Sequence, residues 1–187
     1  MPSTKVNEEE LLDRLTSVFR THGFEGASLS LISKATGLQR ASLYHRFPGG
    51  KEEMAKAVLE RAWTWLHYHA LSPLKGPGKP EERVKKMAKG LHAFFSGGTN
   101  SCLLDSLSFG SGESAINKYV QEGMGAWVEA LAKVARETGI PAKKARLQAQ
   151  DAIGRIEGSL VMVRVLKDIG PFERMLLELP DVLLRNK

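Results

Sequence analysis

The 187-residue chain has one cysteine, Cys102, so no internal disulfide framework can form and a reducing cytoplasm is the expected location. Long apolar runs are missing too. No stretch approaches the ~18 apolar residues of a membrane span. The opening MPSTKVNEEELLDR carries acids where a secretion signal needs an uninterrupted apolar run. The expectation is a protein that stays inside and has no membrane partner. Aromatic and β-branched alternation is nearly absent, which leaves no pattern for a sheet. The most local absence is of acid. From Ser28 to Lys51 the chain has Lys34, Arg40, Arg46 and Lys51 and no Asp or Glu, although Met1 to Arg61 as a whole holds nine basic and eight acidic residues.

What is present is apolar spacing of three and four almost throughout, with 42% apolar residues to fill a core, so the chain reads as all-α. Asn7 is placed to cap a first helix with Glu10 reaching back, and Leu11, Leu12, Leu15, Val18 and Phe19 form one stripe that ends at His22-Gly23. Ser28 caps a short second helix that Gly37 stops, and a third runs from about Gln39 to Arg46 before Pro48-Gly49-Gly50. A fourth runs from near Lys51 to about Leu71. After the Pro- and Gly-rich SPLKGPGKP, Pro80 opens a fifth, SCLLDSLSF forms a short one, Glu113 to Thr138 a long one, and Pro141 opens another to about Asp168. Pro171 opens the last, and Pro180 should kink or end it. About nine helices result, divided as 1–50 and 51–187.

Two short helices joined by a tight glycine turn on a longer first helix are a helix-turn-helix arrangement. With Leu38 plugging the turn and Leu43 and Phe47 inward, the arc left over carries Gln39, Arg40, Ser42, Tyr44, His45 and Arg46. Acid kept off this arc, more than the formal charge of +6, points to double-stranded DNA.

Phe19, Gly23, Phe24, Ser28, Ile32, Ala35, Gly37, Leu38, Ser42, Leu43, Tyr44, Phe47 and Lys51-Glu52 resemble the N-terminal signature of the TetR/AcrR family of transcriptional regulators. FPGGKE and EGSLVMVRVLKDIGPFERM look like its LmrA/YxaF-type branch. The resemblance implies that Gln39, Arg40 and Ala41 approach base edges, while Ser28, Ser42, Tyr44, His45 and Lys51 hold phosphates. Where Gln39 stands the family usually has serine or threonine, a better cap. Either the first turn of the reading helix is looser here, or Gln39 is there to read a base.

The resemblance further implies a homodimer on an inverted-repeat operator and a small-molecule effector that sets its occupancy. Gly154, Gly158, Leu160, Val163, Phe172, Leu176 and Leu179 are the expected dimer surface. Leu66, Phe94, Cys102, Leu103, Phe109, Met124, Trp127 and Met162 are the expected lining for a hydrophobic or aromatic ligand, with Asp105 and Glu157 as nearby acids. The corresponding function is a repressor released by its ligand; the rival is a helical small-molecule binder without DNA function. No catalytic residue, cofactor or metal is expected. Cys102 and His92 have no pattern that joins them, and His67 and His69, two apart on a helix, point to nearly opposite sides.

Overall fold

The computed structural model describes residues 6–108 and 115–185. Within them the regular structure is helical throughout: α1 Glu8–Gly26, α2 Leu29–Thr36, α3 Arg40–Arg46, α4 Gly50–Leu66, α5 Pro80–Phe94, α6 Leu103–Ser108, α7 Ala115–Arg136, α8 Ala142–Leu166 and α9 Gly170–Leu184. The chain forms two compact units, Met1–Ala62 with Leu103–Gln121, and Trp63–Cys102 with Glu122–Lys187. No helix of the described residues is long and apolar enough to cross a membrane.

In the first unit, the Asn7 side chain accepts the Glu10 N–H at 2.8 Å and starts α1 as expected. The Glu10 carboxylate does not reach back; it takes a hydrogen bond from Arg14 at 2.5 Å instead. Leu11, Leu15, Val18 and Phe19 are buried at the spacing of one helix face. The helix breaks at Gly23, with φ of +65°, and continues to Gly26 rather than stopping. A side chain at Gly23 would press on the Ser106 carbonyl oxygen of α6, 3.1 Å away, so both the backbone angle and the packing require glycine. Ile32, Leu43, Met54 and Val58 close the core of this unit from α2, α3 and α4.

In the second unit, the segment expected to carry α4 on to Leu71 opens at His67–Leu71 into a π-helical turn, followed by a 3₁₀ turn, Ser72–Lys75. Ser72 Oγ donates to the Tyr68 carbonyl at 2.7 Å. Gly90 of α5 lies directly against the His69 carbonyl, at a distance no side chain would permit. Pro80 opens α5 as expected, and Val84, Met87 and Leu91 are buried. Arg83, buried on the same helix, donates to the Leu74 carbonyl at 2.7 Å and pairs with the Glu137 carboxylate. α9 packs on α8 and α5.

Pro180 does not end α9, which runs through it to Leu184. The proline removes one N–H from the ladder at a cost of ~3 kcal/mol in an isolated helix. Burial of Leu179, Pro180 and Leu183 outweighs that cost here.

Candidate nucleic-acid interface

α2 begins where the Ser28 hydroxyl accepts the Leu31 N–H at 3.2 Å, and it ends at Gly37, left-handed with φ of 71°. Gly37 donates to the Ser33 carbonyl at 2.9 Å, and the chain turns through half-buried Leu38 into α3. Arg14 of α1 donates to the Thr36 carbonyl at 2.8 Å, fastening the turn to the long helix. α3 is anchored by Leu43, fully buried, with Phe47 half-buried behind it. Gln39, Arg40, Ala41, Ser42, Tyr44, His45 and Arg46 are all exposed, so the geometry gathers the expected reading and phosphate-facing residues on one short helix and its approach. Gln39 stands at the N-cap with extended backbone, and its side chain makes no capping bond.

The surroundings fix this helix from behind. Arg46 Nη2 donates to the Val6 carbonyl at 3.1 Å, and the Glu53 carboxylate accepts the Gly49 N–H at 2.7 Å. Gly50 has φ of +66°, and a side chain there would meet the Tyr44 ring at 3.3 Å; its absence lets the ring lie over the start of α4. Lys51 folds back, with Nζ donating to the Phe24 carbonyl at 2.8 Å and lying 4.3 Å from the Phe24 ring centroid. An ammonium has three N–H donors, so this contact leaves others for a phosphate while holding α4 to the end of α1. The residues from Ser28 to Lys51 therefore present positive charge and hydroxyls with no carboxylate of their own, Glu53 reaching in only at Gly49, the chemistry that the DNA backbone and guanine edges attract. The sequence reading missed the fastening of the turn by Arg14, Ser33 and Thr36. Its only trace in the sequence is a polar residue at two positions of α2 that face inward.

The other expected sites are placed differently. Leu160, Val163, Phe172, Leu176 and Leu179 are buried within their own chain, where α8 meets α9 and α5. Gly154 and Gly158 are exposed, with nothing within 4 Å of where a side chain would start. The face they share with Val161, Met162, Val165, Leu166 and Ile169 is the apolar surface of α8, and the sequence signal for it was a second stripe at helical spacing.

Met162 belongs to this face at 47% exposure and lines no interior. Leu66, Cys102 and Trp127 are buried, and Phe94 and Met124 half-buried, in the second unit, with the Phe94 ring tilted against Trp65 at 5.1 Å between centroids. Leu103 is buried in the first unit, and Phe109 lies outside the described residues. Asp105 and Glu157 are half-buried. Cys102 is buried while His92 is exposed and stacks on Phe172, and among the described residues no group of His, Cys, Asp and Glu is set to hold a metal.

Comparison with known proteins bears on the same segment. The family model "Bacterial regulatory proteins, tetR family" matches residues 11–58, which span α1 to the middle of α4. Over 96% of the chain and 97% of the relative, the sequence is 24% identical to the HTH-type transcriptional regulator LmrA of Bacillus subtilis (strain 168). It is 23% identical over the full length of both chains to an uncharacterized HTH-type transcriptional regulator of the same organism, YxaF. The fold also superposes on the TetR family transcriptional regulator CifR, solved with 26-base-pair operator DNA, with a TM-score of 0.75 at 21% identity, covering 97% of this chain and 98% of that one. With the acid-free helix α3 inside the matched segment and the likeness continuing to the end of the chain, residues 11–58 form a TetR-family segment within a chain that is similar over its whole length to HTH-type transcriptional regulators.

Proposed function

We propose that the protein is a homodimeric repressor that a small apolar or aromatic effector releases from an inverted-repeat operator. The observation that carries this reading is the exposed, acid-free face of α2 and α3, fastened to α1 by the bond from Arg14 to the Thr36 carbonyl. On it Gln39, Arg40 and Ala41 meet base edges, with Arg40 bidentate to guanine, while Ser28, Ser42, Tyr44, His45 and Lys51 fix the register on phosphates. That the CifR structure holds operator DNA supports the same use of the fold here.

One such head makes few contacts, and affinity then comes from two heads about 34–36 Å apart. The apolar face of α8, with Gly154 and Gly158 open for close approach of another helix, supports pairing of two copies. The effector enters the second unit among Leu66, Phe94, Cys102, Met124 and Trp127. It acts only as far as it prefers the released state, and α4, which gives residues to both units, carries the change.

The test is selection from random duplex DNA at near-physiological salt, followed by sedimentation of the bound complex. An enriched inverted repeat bound by two chains is the expected result, and Arg40→Ala should relax preference at one position of each half-site. Absence of any enrichment by protein refolded free of small molecules overturns the reading in favour of a helical small-molecule binder.

A further inference from the structure

We infer that Ser33 and Thr36 are positioning residues for sequence reading: they grip the Leu38 peptide from both ends, and this frees Gln39 to read an adenine. The inference rests on the DNA-contact reading above and adds to it a mechanism and a base. Ser33 Oγ donates to the Leu38 carbonyl at 2.6 Å, across five residues. Thr36 Oγ1 accepts the Leu38 N–H at 3.3 Å while donating to the Ile32 carbonyl at 2.8 Å. Arg14 then holds the Thr36 carbonyl from α1. Both backbone polar groups of Leu38, which lies between the Gly37 cap of α2 and the Gln39 cap of α3, are therefore bonded by side chains of α2, and α2 is bonded to α1.

Such a grip matters because of what is lacking one residue later. A serine, threonine or aspartate at the N-cap ties the entry of a helix to its own first turn. Gln39 occupies that position with φ of −68° and ψ of 154°, and its amide makes no capping bond. The direction in which α3 leaves the turn is set from before the cap, by Ser33 and Thr36, instead of from the cap itself. The Gln39 side chain is exposed and uncommitted, and it shares an open concavity with Ser30, Lys34, Gly37 and Arg40. In a helix-turn-helix head the first residues of the second helix meet base edges. A free carboxamide there matches the adenine edge, taking the N6 amino hydrogen with its oxygen and giving an N–H to N7.

The experiment is selection from random duplex DNA by the full-length protein and by Ser33→Ala, Ser33→Thr and Gln39→Ala. Equilibrium binding to the wild-type site and to a scrambled duplex accompanies it, with a melting curve for each protein. Ser33→Ala should bind the selected site about five-fold more weakly, the worth of one neutral hydrogen bond. Its affinity for the scrambled duplex should stay within error, its melting midpoint should fall by no more than the few degrees that one lost hydrogen bond costs, and Ser33→Thr should restore specific binding. Gln39→Ala should lose an A·T preference at one position in each half-site and keep the others.

Ser33→Ala matching wild type on both duplexes overturns the inference, and so does an equal loss on both with a lowered midpoint, which is what a merely structural bond would give. A Gln39→Ala selection with every preference intact overturns the assignment of the base. If the wild type itself enriches nothing, the DNA-contact reading fails and takes this inference with it. A wild type that enriches a site while Ser33→Ala does so equally well removes the inference alone.

Discussion

Replacing Gly90 with alanine places a methyl group against backbone, not against a side chain that can swing away. Built on the present geometry, the new carbon sits 2.1 Å from the His69 carbonyl oxygen, 2.8 Å from its carbonyl carbon and 2.9 Å from Ala70 Cα. Comfortable carbon contacts lie at about 3.5–4.0 Å, so α5 and the π turn must separate by roughly 1 Å or more. Overpacking of a tight interior costs about 1–3 kcal/mol, and with two backbones opposed the upper end applies. Alanine in a helix regains about 1 kcal/mol over glycine. The net expectation is a loss of about 2 kcal/mol, which for a chain of this size lowers the melting midpoint by roughly 4–8 °C.

Circular dichroism melts of the wild type and the variant at one protein concentration measure it. Gly125→Ala serves as the control, since it lies in α7 with nothing within 4 Å and should be neutral or slightly stabilising. A Gly90→Ala protein that melts at or above the wild type would show that α5 and the His67–Leu71 turn do not approach in this way. The reasoning about the π turn would then fail with it.

Four further outcomes are expected. Asn7→Ala should cost about 1 kcal/mol in a denaturant titration, because it frees the Glu10 N–H that the Asn7 side chain holds at 2.8 Å. Arg83→Ala leaves the buried Leu74 carbonyl unpaired and unpairs Glu137. Since that carboxylate is 41% exposed and partly solvated, the loss should be about 1–3 kcal/mol, below that for a fully buried pair. The Glu129 carboxyl is held below the ordinary range chiefly by its hydrogen bond to Arg136, then by the charges of Arg136, Arg146 and Lys133. A lowered carboxylate contributes stability above its unfolded pKa, and that contribution disappears as pH falls through the folded value. Carboxyl NMR should show a depressed midpoint that Arg136→Ala raises toward normal, with the charges of Arg146 and Lys133 still acting on it. Val165→Glu, at a site 69% exposed on the apolar face of α8, should leave melting of the dilute chain nearly unchanged and shift sedimentation from dimer to monomer. Unaltered sedimentation would place the pairing surface elsewhere.

Local chemistry was legible in the sequence where a residue acts on its immediate neighbours. Asn7 and Ser28 cap, Gly37 turns left-handed and Pro80 opens a helix, because each effect depends on three or four adjacent residues. The exposed arc of α3 followed from the spacing of Leu43 and Phe47 alone. What depended on distant partners was not legible. Pro180 looked like a stop because its cost is local, whereas the burial that outweighs it is supplied by other helices. The π turn at His67–Leu71 keeps the apolar pattern of an ordinary helix, and only the approach of Gly90 marks it. On α8 two apolar stripes run side by side, so spacing could not tell Leu160 and Val163, which face the core, from Val161, Met162 and Val165, which do not.

The bond from Arg46 to the Val6 carbonyl has a practical side. It joins the last residue of α3 to backbone that lies ahead of α1, so the amino end is tied to the helix that the proposed function sets against DNA. On the proposed function, a purification tag or fluorescent partner fused there should lower operator affinity without touching a single residue proposed to face a base.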